Sequence, residues 1–191
     1  PLFPPFSRDA RLDHMAWFFA AFGKATPVSS QLRSAASLSV GLESLGMNRG
    51  ETVSLAWNWG GELGMDQRMS FPFDFHAGLG AAVSLRRLTL APMAMVAVDR
   101  MVIDDADEGN VVIPAALDYG GGGHLYLELA PGVALDGHAA YLWRAGDHPA
   151  ELRTGLRLVT TTHDRALFFG VRYHDYGQAT VWSAFVGYGG D

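Results

Sequence analysis

Large apolar residues alternate with small or polar residues along most of the chain, from residue 35 to residue 189. In the stretch 71–85, one set of alternate positions carries Phe, Ala, Leu and Val, while the other carries mainly Gly, Ala and Ser with Asp74 and His76. A period of two is typical of β-strands whose two faces meet different environments. Ten strands are predicted, at 35–45, 51–64, 71–85, 87–100, 110–119, 123–134, 138–145, 151–160, 165–175 and 179–189.

The breaks between these strands are short, and several are rich in Gly or Asp. They include 86–87, 120–122, 136–137 and 176–178. Breaks of this kind predict hairpin turns, and none is long enough for a helix that crosses over to a parallel neighbour. The sequence therefore predicts an all-β domain over 35–191, an antiparallel up-and-down barrel of eight to ten strands.

Residues 1–34 are predicted to form a separate N-terminal segment, irregular at its start. Apolar residues at helical spacing follow Asp9, which is a suitable N-cap, and predict a short amphipathic helix over 9–22. They are Leu12, Met15, Phe19 and Phe22. Alternation over 14–23 also permits a strand, so both readings stay open.

Composition bears on which face of the barrel meets which environment. The chain has 11 Phe, 6 Tyr, 5 Trp and 23 Gly, only 18% charged residues, and Lys24 as its one lysine. Soluble domains usually carry about a quarter charged residues. A face of Gly, Ala and Ser suits a narrow lumen, and aromatic residues near strand ends are typical of membrane-interface girdles. The sequence favours a transmembrane barrel, with a soluble barrel that binds an apolar ligand in its core as the alternative.

Charge and cysteine content exclude other classes. The net charge of −6 leaves no basic face for a nucleic-acid partner, and without cysteine there is neither a disulfide nor a thiolate metal site. The sequence contains no run of about 20 apolar residues, so it predicts no transmembrane helix. The first residues do not read as a secretory signal, so an exported protein would have lost its signal peptide already.

The alternation in 71–85, 123–134 and 180–188 resembles that of small outer-membrane β-barrel proteins of Gram-negative bacteria. The resemblance covers 35–189 and rests on pattern, without a diagnostic motif. It implies residence in the bacterial outer membrane, contact with membrane lipid, and insertion by the barrel-assembly machinery. The segment 182–188 is similar to the C-terminal signal of that family, although here the chain continues to Asp191.

Charged residues on the predicted lumen face divide along the chain into an acidic and a basic group. The acidic group is Glu43, Glu62, Asp74, Asp99, Asp118 and Glu128, and the basic group is Arg144, Arg153, Arg157 and Arg172. Buried charges require partners. The two groups are therefore expected to form a salt-bridge network that plugs the lumen, or alternatively to line a narrow charge-selective pore.

Three histidines are predicted to face the lumen: His76, His124 and His174. General-base catalysis would need a nucleophile within hydrogen-bond reach, and Ser54, Ser84 and Tyr126 share the face. Lipid A deacylases place His and Ser on one strand face, but no His-x-Ser occurs here. Hydrogen bonding inside the lumen is the expected role.

No catalytic residue, metal site or cofactor is assigned. The acidic run 104–108 lacks EF-hand spacing and is expected to be a solvated turn, and the glycines at 120–123 do not form a phosphate-binding loop. The predicted function is a structural, scaffolding or narrow-pore role in the outer membrane. The apolar exterior could also seat other membrane-protein subunits, and a barrel-embedded lipid-modifying enzyme is a further alternative.

Overall fold

The computed structural model of the protein describes residues 14–28, 32–48, 53–66, 71–105, 109–144, 150–162 and 165–190. Ten long strands and one very short strand make up this part of the chain. Their bounds are β1 His14–Pro27, β2 Leu32–Arg33, β3 Ala35–Asn48, β4 Val53–Asp66, β5 Phe73–Leu85, β6 Leu88–Asp105, β7 Gly109–Ala130, β8 Val133–Arg144, β9 Glu151–Thr162, β10 Arg165–Asp175 and β11 Ala179–Gly190. Within these ranges, no helix is long and apolar enough to cross a membrane.

The ten long strands form a closed antiparallel barrel. Each pairs with the next long strand along the chain, and β1 pairs with β11 to complete the ring. The short β2 adds only two residue pairs to the far end of β6. The predicted antiparallel up-and-down barrel of eight to ten strands is confirmed.

The predicted N-terminal helix is wrong over residues 14–22, which belong to β1. Phe19 lies opposite Gly41 of β3 and Gly187 of β11, so this strand is part of the barrel wall. Residues four apart share a face on a helix, but they also share a face on a strand, because four is an even number. Met15 and Phe19 are both buried for that reason. The barrel therefore begins before residue 35, whereas residues 1–13 lie outside the described part.

The glycine run 120–123 lies in the middle of a strand, so the predicted turn there is wrong. The strand β7 continues through it, with Gly120 paired to Met95 of β6 and Leu142 of β8. The next hairpin turn is formed by Pro131 and Gly132, whose φ is 76°. The turn predicted at 136–137 is also wrong, because both residues lie within β8. The sequence prediction missed β1 and divided β7 into two strands. The predicted total of ten therefore agrees with the ten long strands only because these two errors cancel.

Close approach of neighbouring backbones explains why glycine occupies position 120. A Cβ atom at Gly120 would lie 2.1 Å from the carbonyl oxygen of Tyr141, whereas one at Gly121 would come no closer than 3.9 Å to Met93. We expect Gly120→Ala to lower the free energy of unfolding by about 1–3 kcal/mol. Gly121→Ala is the matched control, with a change of less than about 1 kcal/mol. Urea unfolding followed by tryptophan fluorescence measures both, and equal effects would contradict this explanation.

The two faces of the strands are distributed as the alternation predicts. Among the described residues, 31 large apolar or aromatic side chains are exposed on the outside, including Leu79 at 57% and Phe169 at 50%. The inner face carries Ala, Gly, Ser and the charged residues, with Asp118 fully buried. The barrel thus has an apolar exterior, and small or charged side chains predominate on its inner face.

Candidate functional site

The lumen is closed by aromatic side chains at the end of the barrel where β1 begins and β11 ends, here called the terminal end. Trp17 stacks on Phe168 with 4.8 Å between ring centroids, and Phe19 meets Phe185 edge-on at 5.9 Å. All four rings are at most 7% exposed. Together with the neighbouring buried residues Met15, Leu45, Met47, Tyr126 and Val159, they form the terminal plug.

Two arginines lie over the terminal plug and connect it to the charged layer above. The guanidinium carbon of Arg157 is 4.2 Å from the ring centroid of Trp17. That of Arg172 is 4.8 Å from the Phe19 ring and 5.0 Å from the Phe185 ring. Cation–π contacts of this kind are strongest where water is excluded. The aromatic and charged layers therefore stabilise each other.

Arg157 and Arg172 also join strands across the barrel through ion pairs. Arg157 of β9 bonds Glu43 of β3 at 2.8 Å and contacts Asp136 of β8. Arg172 of β10 bonds Glu62 of β4 at 2.8 Å. The pairs with Glu43 and Glu62 join residues more than 100 positions apart, so they hold together walls that are distant in sequence.

A larger group of charges lies toward the opposite end of the barrel, here called the loop end. We call it the four-carboxylate cluster: Asp74, Asp99, Asp118 and Glu151 with Arg144 and Arg153.

Each guanidinium of this cluster contacts three of its carboxylates. Arg144 donates from Nε and Nη2 to Asp118 at 2.8–3.1 Å, and it also contacts Asp99 and, at 3.9 Å, Glu151. Arg153 bonds Asp99 at 2.9 Å and contacts Asp74 and Glu151. Five strands, from β5 to β9, are tied together at this level.

Four histidines line a small central cavity of about 50 Å³ between the terminal plug and the four-carboxylate cluster. His76 Nδ1 is 2.9 Å from Asp74, and His124 Nδ1 is 3.2 Å from Asp136. His138 packs against His124 with 5.6 Å between ring centroids. These contacts give His76 and His124 carboxylate partners inside the lumen.

The fourth histidine lies beside a tyrosine that follows β10. His174 Nδ1 is 3.3 Å from the hydroxyl of Tyr176 and 3.9 Å from Glu151. Burial raises the pKa of Tyr176 well above its usual value. The hydroxyl therefore stays protonated and is able to donate a hydrogen bond to His174.

A second cavity, of about 90 Å³, lies at the loop end and is called the vestibule here. It is lined by polar side chains that include Ser37, Ser183, Arg100 and Tyr176, and it shares Asp74, Arg172 and His174 with the central cavity. Salt-bridged side chains thus separate the two spaces. Either cavity has room for a few water molecules.

Nine of the ten charged residues predicted to face the lumen take part in these ion pairs, whereas Glu128 contributes to none of them. His76, His124 and His174 all line the central cavity. Asp136 and Glu151 were not predicted. Glu151 is an even number of residues from Arg153 and Arg157 on the same strand, so the alternation could have placed it on the lumen face. Asp136 was missed because it was assigned to a turn.

The arrangement does not favour metal binding or nucleophilic catalysis. Carboxylate oxygens of Asp99, Asp118 and Glu151 lie within 4.8 Å of one another, but two guanidiniums already contact them. Of the predicted nucleophiles, Ser84 bonds Thr89 at 3.1 Å near the terminal end, and Tyr126 packs in the terminal plug. The side chains of the acidic run 104–108 all lie outside the described ones.

Comparisons with known proteins agree on the architecture. No protein-family model and no curated protein matches the sequence. Among solved structures, the outer membrane protease OmpT from Escherichia coli matches with a TM-score of 0.53 at 7% identity, over 96% of this chain and 98% of that one. The translocator domain of the autotransporter NalP from Neisseria meningitidis matches with a TM-score of 0.52 at 10% identity, over 96% and 90%.

The chain has the fold of bacterial outer-membrane β-barrels. Both solved proteins align with this barrel over nearly its whole length. One is a protease and the other a translocator domain, so the same wall serves different roles. The contents of the lumen, rather than the wall, therefore have to indicate what this barrel does.

Proposed function

We propose that the protein is an integral barrel of the bacterial outer membrane with a structural role, and that its lumen is closed rather than a pore. The terminal plug is the observation that carries this proposal. Stacked aromatic rings close one end of the lumen, and salt-bridged arginines fill the space above them.

The exterior supports a lipid environment. Leu, Val, Phe, Trp and Tyr side chains are exposed all around the wall, and most strands have 11–14 residues, enough to span a bilayer when tilted. A soluble barrel would bury such residues, because exposed apolar patches of this size lead to association. The interior is also too full and too polar for the alternative in which it holds an apolar ligand.

Turn lengths support an orientation in this membrane. The connections between long strands have two to four residues at the terminal end and three to seven at the loop end. Those at the terminal end are 49–52, 86–87, 131–132 and 163–164, and those at the loop end are 28–34, 67–72, 106–108, 145–150 and 176–178. Outer-membrane barrels have short periplasmic turns and longer extracellular loops. We infer that the terminal plug faces the periplasm and the vestibule faces outward.

Electrophoresis and conductance test this proposal together. The refolded full chain is expected to need detergent for solubility and to migrate differently on a gel before and after boiling, because a closed barrel stays folded in detergent. In planar lipid bilayers, it is expected to produce no current steps above the background of protein-free membranes. A monodisperse protein in plain buffer would refute the membrane location, and reproducible steps would refute the closed lumen.

A further inference from the structure

Charge is not balanced in the four-carboxylate cluster. It holds four carboxylates but only the two guanidiniums of Arg144 and Arg153, which leaves two negative charges in excess. The other ion pairs differ in this respect: Glu62 faces Arg172 one to one, and Glu43 and Asp136 share Arg157. The largest excess charge of the lumen is therefore located in this cluster.

Burial makes this excess costly. Asp99, Asp118 and Glu151 are each at most 1% exposed, so water does not screen them. Uncompensated charge in such a place is strongly unfavourable. Additional positive charge, carried by protons or by a cation, would remove the cost.

The groups facing the cluster determine where protons would be held. On β5, His76 lies beside Asp74, and on β10, His174 lies 3.9 Å from Glu151. Tyr176 packs under Arg144 with 5.7 Å to its ring centroid. Arg172 borders the same cavity as His174 and disfavours a second positive charge there. Carboxylate oxygens of Asp99 and Glu151 lie within 4.8 Å of each other, which is close enough for the two groups to titrate together.

We propose that the four-carboxylate cluster holds two protons in the folded barrel at neutral pH, mainly on Asp99 and Glu151, and that alkaline pH loosens the loop end by removing them. The vestibule gives water access to this region through Asp74 and His174, so the protons can exchange with the outside. The barrel would then respond to the pH of the medium that the vestibule faces. A metal ion is disfavoured in the same place, because both guanidiniums would repel it.

The sign of the effect follows from proton counting. Free Asp and Glu side chains lose their protons near pH 4, so the unfolded chain holds none of these protons at neutral pH. The folded barrel then binds more protons than the unfolded chain, and its stability falls as the pH rises. Each proton released changes the unfolding equilibrium constant by about tenfold per pH unit, so two protons correspond to about a hundredfold per unit.

A pair of single substitutions tests the proposal in the full-length protein. Urea unfolding in detergent micelles, with 1 mM EDTA present, is measured from pH 7 to pH 10 for the parent, Glu151→Gln and Glu62→Gln. Glu151→Gln removes one of the carboxyls that hold a proton, so it is expected to reduce the pH dependence by about tenfold per unit. Glu62→Gln breaks a balanced pair, and it is expected to weaken the barrel equally at every pH while leaving the pH dependence unchanged.

Two further measurements keep the outcomes distinct. His76→Gln and His174→Gln are expected to leave most of the pH dependence in place, so a loss in these variants alone would move the protons to the histidines and refute the assignment. Parent and Glu151→Gln proteins with the same pH dependence would also refute it. Stabilisation of the parent by added Ca²⁺ or Mg²⁺, absent in Glu151→Gln, would show that a cation balances the charge instead.

Discussion

Replacing Arg153 with Met is expected to lower the free energy of unfolding by about 3–5 kcal/mol. Arg153 is 5% exposed and contacts three carboxylates, Asp74, Asp99 and Glu151. Methionine keeps much of the side-chain volume but leaves Asp99 and Glu151 with Arg144 as their guanidinium partner and Asp74 with His76. The cost comes mainly from buried negative charge that has lost its partner, rather than from the contacts themselves.

Equilibrium unfolding in urea at pH 7 measures this loss, with Arg165→Met as the matched control. Arg165 is exposed at the start of β10, so its replacement is expected to change the free energy of unfolding by less than about 0.5 kcal/mol. Adding Glu151→Gln to the Arg153 variant should restore part of the stability, because it leaves fewer buried carboxyls for the one remaining guanidinium. If the two arginine variants lose the same stability, the cluster does not stabilise the barrel in the way described.

Trp17→Ala is expected to cost about 3–5 kcal/mol, the range for large aromatic residues in a core. The indole is 2% exposed, stacks on Phe168, and lies under the guanidinium of Arg157. Its removal leaves a cavity in the terminal plug and takes away the aromatic face on which Arg157 rests. The loss should be larger than packing with Phe168 alone would give.

A tryptophan on the outer face of the barrel is the control for this variant. Trp182 is 58% exposed and contacts Tyr173 with 4.7 Å between ring centroids, so Trp182→Ala is expected to cost about 1 kcal/mol. Heat unfolding, read from the gel mobility of the folded band, compares the two variants. The proposed closure of the lumen by the terminal plug predicts that Trp17→Ala combined with Phe168→Ala gives bilayer currents that the parent lacks. An unchanged unfolding temperature in Trp17→Ala would contradict the role of the plug.

The direction of each side chain could be predicted from sequence because strand geometry fixes it. Every second residue points the same way, so Leu79 and Phe169 were expected outside and Arg172 inside, as the structure has them. This required no knowledge of which strands pair. The all-β class and the closed antiparallel barrel are confirmed on the same basis.

Strand ends were harder to predict because glycine has two opposite uses. It forms turns, as Gly132 and Gly177 do with positive φ. It also allows close approach inside a strand, as at Gly120. A sequence window cannot distinguish these uses, since the difference lies in the neighbouring strand. The strand β1 was predicted as a helix for a related reason. Its partners lie in β3 and β11, which a window around residues 14–22 does not include.

The composition of the lumen network was predictable, but its pairing was not. Parity places Glu43 and Arg157 on the inner face, whereas their contact depends on how far each strand is shifted along the barrel. Those shifts are set by turns and by irregularities such as the one between Asp99 and Met101. The balance of charge in each cluster could therefore be counted only after folding.

The ring of strands closes where β1 meets β11, with 12 residue pairs between Ala16 and Pro27 on one side and Ala179 and Gly190 on the other. The two partners are separated by nearly the whole chain, so this seam has the slowest loop to close. Until the last strand has been synthesised, the growing sheet has two unpaired edge strands, and these can pair with other chains. A barrel that is closed by its first and last long strands is therefore open to mispairing with other molecules until nearly all of it has been synthesised.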